Sequence, residues 1–367
     1  MAGAVNRLTL IEQFVQAERS RATLDALRPA IRYAKVKLTD NCNSKCVTCD
    51  YWKASHENEL TLPEFQSILE QLQCLGVEEV MFTGGEPTIR GELVSVVRHA
   101  AGLGFPVIAL TTNALSLSPR KIDQLLDAGL TQLVLSLEGL ASHDELRGVP
   151  GNAQKVLVAL EHVTGRRAAG AVVAVKLAMT LMQRNLSEVA AMVDLARRHQ
   201  AVLFFNLIDR GTYFFQGVPV DLLALRDRSL LDQVVDELVA VKRREPGLIG
   251  NTVSSLEYAR RYFSDPKQSD IPCHLGYIGI DIDANGDVYS NCWGLPPIGN
   301  IRTSSLASLV TTREYAERCR AMFRKECPGC SCGYILNLAY HKPSVELDVS
   351  CGGDLATSAV GYAGTQS

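Results

Sequence analysis

Three closely spaced cysteines constrain this chain more than any other feature. They form the pattern C-x3-C-x2-C at Cys42, Cys46 and Cys49. A cubane iron–sulfur cluster has four irons, and thiolates are its usual protein ligands. Three thiolates would hold three irons and leave the fourth open to a small molecule, as a catalytic zinc site keeps one position open. A zinc ion is the alternative, but it would need a fourth ligand such as His56, and zinc motifs usually contain paired C-x2-C units.

Length and charge narrow the function classes. A chain of 367 residues has room for a β/α barrel of ~250 residues and an appendage. The net charge of −3 argues against a nucleic-acid partner or an anionic membrane surface. No apolar run approaches the ~18 residues of a membrane helix, and the first residues lack the apolar segment of a secretory signal. We therefore expect a cytoplasmic protein with no membrane partner.

The other cysteines form a second group. Of the eleven cysteines, none lies between Cys74 and Cys273, and seven lie from Cys273 to Cys351. This spread is too uneven for a disulfide scaffold, so it favours metal ligands in a reducing compartment. Cys74 and Cys319 are interpreted as inert thiols.

Hydrophobic periodicity predicts an α/β fold from residue 33 onward. Strand patterns alternate with helical patterns, which is typical of a parallel sheet with helical crossovers. The predicted strands are 33–38, 79–82, 107–110, 132–137, 172–180 and 202–208. The predicted helices are 62–75, 91–103, 119–128, 152–165, 187–199 and 222–243.

The C-terminal third has a different pattern. Apolar and polar residues alternate on both sides of Asn285-Gly286, which is the strongest short hairpin signal. A helix is predicted over 306–325. Cys273 and Cys292 flank the hairpin, and Cys327 and Cys330 follow the helix, so the four thiols could hold one closed metal site. Structural zinc and iron–sulfur both remain open at this point, and Cys332 could replace one of the last two.

The cysteine pattern and the loop Gly84-Gly85-Glu86 after the second strand together resemble the signature of the radical S-adenosylmethionine (SAM) superfamily. The resemblance implies a partial (β/α)6 TIM-like barrel with an open lateral mouth. It also implies a [4Fe–4S] cluster whose open iron binds SAM. The SAM-binding residues that it implies are Gly84, Gly85, Glu86, Asn113, Ser136, Glu138 and Arg147, with Tyr51 covering the adenine.

The second cysteine group is similar to the twitch domain of that superfamily, a short relative of the SPASM domain. This likeness implies one auxiliary [4Fe–4S] cluster held by Cys273, Cys292, Cys327 and Cys330. The expected domains are an N-terminal helical extension (1–30), the barrel (31–245), a small β-hairpin/helix twitch domain (246–342) and a flexible tail (343–367).

The resemblance also implies a reaction. The layout is similar to that of radical SAM dehydrogenases of aminoglycoside biosynthesis. These enzymes abstract hydrogen with a 5′-deoxyadenosyl radical and pass an electron to the auxiliary cluster. The expected partners are an aminocyclitol or sugar substrate and a reductant such as flavodoxin or ferredoxin. Polar residues after the sixth strand, Asp209, Arg210 and Tyr213, are the candidate catalytic groups.

Two alternatives within the superfamily remain. A sugar epimerase would use a cysteine in the barrel as its hydrogen donor, and no cysteine occurs from residue 75 to 272. A ribosomal-peptide maturase often carries a recognition domain of ~80 residues before the barrel, whereas about 30 residues precede the first strand here. Dehydrogenation is therefore the favoured prediction.

Overall fold

The computed structural model describes residues 13–17, 19–53, 57–208, 225–262 and 272–327. Nine strands lie in this part of the chain. They are β1 (Tyr33–Thr39), β2 (Glu79–Gly84), β3 (Val107–Thr112), β4 (Gln132–Ser136), β5 (Ala174–Leu181), β6 (Val202–Leu207), β7 (Gly279–Ile282), β8 (Asp287–Tyr289) and β9 (Gly299–Asn300).

The strands form one open sheet with the order β6-β5-β4-β3-β2-β1-β7-β8-β9. Strands β1 to β6 are parallel in chain order, which confirms the predicted parallel α/β architecture. The sheet does not close into a barrel, as expected for a partial one. β7 then adds in parallel to the outer edge of β1, and β8 and β9 continue from it in antiparallel fashion.

Helices connect the strands. Residues 13–17 are helical. The other α-helices of the described residues have the bounds Arg21–Ala26, Leu62–Cys74, Leu93–Gly102, Pro119–Asp127, His143–Arg147, Asn152–Ala168, Val189–Arg198, Arg228–Arg244, Val253–Tyr258, Leu275–Ile278, Leu306–Val310 and Arg313–Phe323. Short 3-10 helices span Tyr51–Lys53, Pro87–Ile89 and Leu186–Glu188. None of the described helices is long and apolar enough to cross a bilayer.

The helix predicted over 306–325 is two helices instead. Leu306–Val310 ends before Thr312, whose backbone is extended and whose side chain accepts a hydrogen bond from the Tyr315 backbone N–H. A threonine in this role caps a new helix, and periodicity alone did not reveal the break. The helix predicted from residue 222 begins at Arg228 after the cap Asp227, and residues 209–224 lie outside the described part.

One face of the sheet packs in the hydrophobic core and the other is concave. On β1, Ala34, Val36 and Leu38 are completely buried in the core that the helices share. The alternate residues Lys35 and Lys37 project to the opposite face, as the two-residue period of a strand requires.

The C-terminal segment is bonded directly to the first part of the chain. The Leu60 N–H donates to the Ala284 carbonyl at 2.7 Å. Arg302 forms an ion pair with Glu64 at 2.6 Å, and Glu64 also completes the capping box of helix Leu62–Cys74. The predicted hairpin is confirmed by the antiparallel pairing of β7 with β8, and it extends the barrel sheet through β7.

Candidate metal and cofactor site

The cysteine loop leaves the carboxyl end of β1, where polar residues of parallel sheets usually bind ligands. The turn after β2 holds one side of this loop. The Gly85 N–H donates to the Thr39 carbonyl at 2.7 Å, and the Glu86 N–H donates to the Asn41 carbonyl at 2.8 Å. A Cβ on Gly85 would lie 2.2 Å from the Asn41 carbonyl oxygen. The two glycines thus allow a close approach to the chain's own backbone.

The helix His143–Arg147 holds the other side of the loop. Its last carbonyls, those of Arg147 and Leu146, accept hydrogen bonds from the Lys45 and Val47 N–H groups at 3.1 and 2.9 Å. Gly148 follows with φ of +65°, and a Cβ there would lie 2.4 Å from the Lys45 carbonyl oxygen. The cysteine loop is therefore fixed between two glycine turns.

The three thiols of this loop are partly buried and interact electrostatically. Burial raises the pKa of the Cys42 thiol to about 12 and that of the Cys49 thiol to about 11. Arg147 lies beside the thiol of Cys46, and its Nη1 is 3.7 Å from the Cys46 Sγ. Without a metal the Cys42 and Cys49 thiols remain protonated near neutral pH, and metal binding would displace their protons.

This arrangement fits an iron–sulfur cluster. In the described ranges no three His, Cys, Asp or Glu side chains converge closely enough to hold a single metal ion. A cubane instead binds each thiolate to a different iron, so its ligands need not meet at one point. One rigid loop carrying three neighbouring thiols and an adjacent guanidinium meets that requirement. The alternative zinc ligand, His56, lies outside the described residues.

The Glu86 carboxylate has protein partners instead of facing an open space. Its side chain is 1% exposed. Oε1 accepts hydrogen bonds from the Thr88 backbone N–H and from the hydroxyls of Thr88 and Thr112, at 3.0, 2.5 and 2.6 Å. Oε2 accepts the Asn113 N–H at 2.7 Å. The predicted contact of this carboxylate with the SAM ammonium stays a prediction, and its visible role is to join the ends of β2 and β3.

Asn113 connects the end of β3 to the cysteine loop. Its amide donates to the Asn43 Oδ1 and the Ser44 Oγ, both at 2.9 Å. Its own carbonyl accepts from Asn152, a completely buried residue at the start of helix Asn152–Ala168, at 2.8 Å. Asn113 thus orients the loop residues that follow Cys42.

Glu138 and Arg147 form a partly buried ion pair at 2.6 Å beside the cysteine loop. Glu138 Oε2 also accepts the Thr180 N–H at 2.7 Å. The Glu138 N–H donates to His143 Nδ1 at 3.0 Å, so Nε2 carries the proton and donates to Asn152 Oδ1 at 3.1 Å. Burial lowers the pKa of His143 to about 4, so this ring is neutral at physiological pH.

Ser136 and Tyr51, also predicted to contact SAM, lie at the same edge of the sheet. Ser136 is the last residue of β4 and is 8% exposed. Tyr51 begins the 3-10 helix after Cys49. Its hydroxyl accepts a hydrogen bond from Lys37.

An aromatic contact joins the two cysteine groups. The Lys37 ammonium lies 4.1 Å from the centroid of the Tyr51 ring and 4.0 Å from that of the Trp293 ring. Trp293 directly follows Cys292 in the second group. Cation–π contacts at such distances are favourable, and burial lowers the pKa of Lys37, although Asp40 at 3.6 Å opposes this.

The second cysteine group is partly described. Cys273 and Cys292 pack in one small cluster with Leu275, Leu295 and Met322. Cys327 lines a groove of about 350 Å³ together with Met322 and Leu295. Cys330 and Cys332 lie outside the described residues, as do Asp209, Arg210 and Tyr213. Cys319 is completely buried, and its thiol donates to the Gly276 carbonyl at 3.2 Å.

Sequence reasoning missed several residues of this site. His143 and Asn152 stabilise the loop from helices, and Lys37 lies on β1. A signal was available for Lys37, because two lysines alternate with apolar residues on β1, which places both lysines on one face of the sheet.

The comparisons with known sequences agree on one protein family. The sequence profile described as the radical SAM superfamily matches residues 36–196. A GTP 3′,8-cyclase of Marinobacter nauticus is 30% identical over 260 residues, which cover 69% of this chain and 73% of that protein. An AdoMet-dependent heme synthase of Methanosarcina barkeri is 30% identical over 192 residues, covering 51% of this chain and 53% of that protein.

Solved structures share the fold. SuiB of Streptococcus suis, crystallised with S-adenosylmethionine, superimposes with a TM-score of 0.63 at 17% identity, over 84% of this chain and 72% of SuiB. The protein anSMEcpe with bound AdoMet and a peptide gives a TM-score of 0.60 at 18% identity, over 86% of this chain and 94% of its own.

Proposed function

Because this chain belongs to the radical SAM superfamily, we propose that it oxidises a secondary alcohol of an aminocyclitol or aminoglycoside to a ketone. Its cofactors are a [4Fe–4S] cluster and SAM, and we place them at Cys42, Cys46 and Cys49. When bound, the cofactors supply a radical that takes a hydrogen atom from a carbinol carbon, and an auxiliary cluster supplies an acceptor for the electron left behind.

The contact of Lys37 with Tyr51 and Trp293 carries this proposal. Tyr51 lies two residues after Cys49 and Trp293 directly follows Cys292, yet both rings lie about 4 Å from one ammonium. The two cysteine groups are therefore joined through one chain of side-chain contacts. In our proposal an auxiliary cluster in the second group accepts the electron from the substrate radical.

The cysteine distribution supports the same choice. The described strands β2 to β6 contain no cysteine, so they offer no thiol to return a hydrogen atom to a substrate radical, as an epimerase would. Loss of an electron is the exit that we propose for the radical. We assign Cys273, Cys292, Cys327 and Cys330 as ligands of the auxiliary cluster and residues 246–342 as its domain.

The chain's other residues have supporting roles in this proposal. Gly84, Gly85 and Glu86 position the cysteine loop and the SAM-binding edge. Asn113, Ser136, Glu138, Arg147 and Tyr51 would bind or orient SAM, and Arg147 offers a planar donor that suits a carboxylate. Asp209, Arg210 and Tyr213 remain candidates for taking the hydroxyl proton. Flavodoxin or ferredoxin would reduce the first cluster.

Cyclisation of GTP is the second candidate function, because the matched protein of Marinobacter nauticus is a GTP 3′,8-cyclase and the match covers 73% of its length. A triphosphate needs cationic side chains without competing anions. Three lysines on the concave face already have carboxylate neighbours: Lys35 has Asp281 at 3.3 Å, Lys37 has Asp40 at 3.6 Å, and Lys176 interacts with Glu79. This pairing favours a neutral or cationic substrate. The alternative of peptide modification would be supported by SuiB and anSMEcpe, but both are less than 20% identical to this chain, and such a likeness shows the fold alone.

The proposal predicts substrate-dependent SAM cleavage. Protein reconstituted without oxygen and supplied with SAM and dithionite should make 5′-deoxyadenosine about tenfold faster or more with an aminocyclitol glycoside than without it, as expected when the substrate completes the site. A ketone should appear in equal amount, measured by mass spectrometry after borodeuteride trapping. GTP serves as the control substrate. Stimulation by GTP and none by any aminocyclitol would overturn the proposal.

A further inference from the structure

One polar layer of the concave face has no role in the SAM site. The strand register aligns Lys35 with Asp281 of β7 on one side and with Met81 of β2 on the other. Met81 aligns with Ala109 of β3, and Ala109 aligns with Gln132 of β4. In-register residues of neighbouring parallel strands project to the same face. Asp281, Lys35 and Gln132 therefore belong to one layer across five strands.

This layer differs from the interior of an ordinary barrel. Barrel interiors are normally filled by layers of bulky apolar side chains. Here the layer includes an acid, a base and an amide, with alanine at position 109. On β5 the concave residues Lys176 and Ala178 are partly exposed, whereas Val175 and Leu177 on the opposite face are buried. The concave face is thus polar, and at β5 it is partly open to solvent.

Two buried side chains of the layer have atoms without partners. Gln132 is 1% exposed, and neither its Nε2 nor its Oε1 has a hydrogen-bond partner among the described residues. Asp281 is fully buried, and its Oδ2 accepts from Lys35 at 3.3 Å while its Oδ1 has no hydrogen-bond partner in the same ranges. Buried polar groups are normally hydrogen-bonded, so each exception calls for an occupant.

The chemistry of these atoms indicates what the occupant offers. A carboxylate oxygen only accepts hydrogen bonds, so Asp281 Oδ1 suits an ammonium or a hydroxyl. An amide both donates and accepts, so Gln132 suits a hydroxyl group. Burial raises the pKa of Asp281 although Lys35 and Lys37 both act in the opposite direction. A further cation would stabilise the buried charge, and a phosphate would be disfavoured.

We propose that Asp281 and Gln132 form a specificity subsite that binds an amine-bearing, hydroxylated end of the substrate. This inference rests on the proposed function and deepens it. Gln132 precedes Ser136 by four residues, about 13 Å along a parallel strand, and Ser136 ends β4 at the edge that carries the cysteine loop. The subsite therefore binds the part of the substrate that lies away from the reacting carbon, and the two residues are not catalytic.

The test is equilibrium binding to the anaerobically reconstituted protein with SAM and without reductant. The probes are 2-deoxystreptamine, which carries two amines, and myo-inositol, which carries none. We expect Asp281→Asn to weaken binding of 2-deoxystreptamine about 10- to 100-fold, the range for a hydrogen bond to a charged group, and to change binding of myo-inositol little. Gln132→Leu should weaken both probes about 5- to 30-fold. Gln73→Leu, on an exposed helical position, is the matched control.

Each outcome tests the proposed subsite independently of the proposed dehydrogenation. Equal affinities of wild type and both variants overturn the subsite, and so does failure of the wild-type protein to bind either probe. If Asp281→Asn selectively weakens the diamine but no ketone forms, the subsite stands and the proposed dehydrogenation fails. If ketone forms with an unchanged KM in both variants, the dehydrogenation stands and the subsite fails. Melting temperatures of the variants identify any loss of folding, and the two variants lie on different strands.

Discussion

The variant Cys42→Ala is expected to abolish SAM cleavage, with a loss of about 10³-fold or more in the rate of 5′-deoxyadenosine formation. The reason is that a cluster that loses one of its three thiolate ligands no longer assembles with an open iron. The loop itself should remain in place. Its backbone bonds through Gly85, Glu86, Lys45 and Val47 do not involve the Cys42 side chain. The melting temperature of the metal-free protein should therefore change little.

Cys74→Ala is the matched control for this variant. Cys74 is exposed at the end of helix Leu62–Cys74 and lies outside both cysteine groups. Its loss should leave SAM cleavage and iron content unchanged. Normal cleavage by Cys42→Ala, measured by chromatography of the nucleoside, would contradict the assignment of this loop as the cluster site.

Alanine at position 85 should displace the cysteine loop without removing any ligand. The new Cβ would lie 2.2 Å from the Asn41 carbonyl oxygen and 2.5 Å from that of Asp40, and backbone atoms cannot yield as a flexible side chain can. We expect a loss of about 3 kcal/mol in stability, at the upper end for overpacking. For a chain of 367 residues that corresponds to about 4 °C in the melting temperature of the metal-free protein. The first cluster should also load poorly, because three thiols shift together.

Gly91→Ala is the control for Gly85→Ala. Gly91 lies in a turn six residues later, a Cβ added there would have nothing within 4 Å, and its backbone is not in the left-handed region. The variant should melt within about 2 °C of wild type, as surface substitutions usually do. If both variants melted alike and bound equal iron, the close packing of the cysteine loop against Gly85 would not determine its position.

Local sequence patterns predicted much of the fold because they reflect local physics. Strands β1 to β6 each coincide with a short run of residues that have a high β propensity. The predicted ends of these strands lie within two residues of the observed ends. The hairpin signal at Asn285-Gly286 also gave β7 and β8 correctly. The addition of β7 to β1 could not be predicted in this way, because it joins segments far apart in the chain and depends on an open sheet edge.

Sequence patterns predict candidate ligands for the site but not the residues that support them. Cysteine spacing and the glycine turn predict where a cluster and SAM would bind, and this assignment stays a prediction. The partners of the Glu86 carboxylate, and the contact of Lys37 with Trp293, arise only when distant strands and the hairpin meet. The unpartnered atoms of Gln132 and Asp281 are likewise properties of a register between strands. Such features depend on tertiary packing, which spacing along the chain does not encode.

The most direct test of the oxidative reaction is the iron and sulfide content of the Cys42/Cys46/Cys49→Ala triple variant after anaerobic reconstitution. The variant should retain about four irons and four sulfides, the content of one cubane, bound by the second cysteine group. That result would provide the electron acceptor that a dehydrogenase needs. A triple variant with no iron, or with zinc in its place, would contradict the account, because the substrate radical would then have no acceptor for its electron.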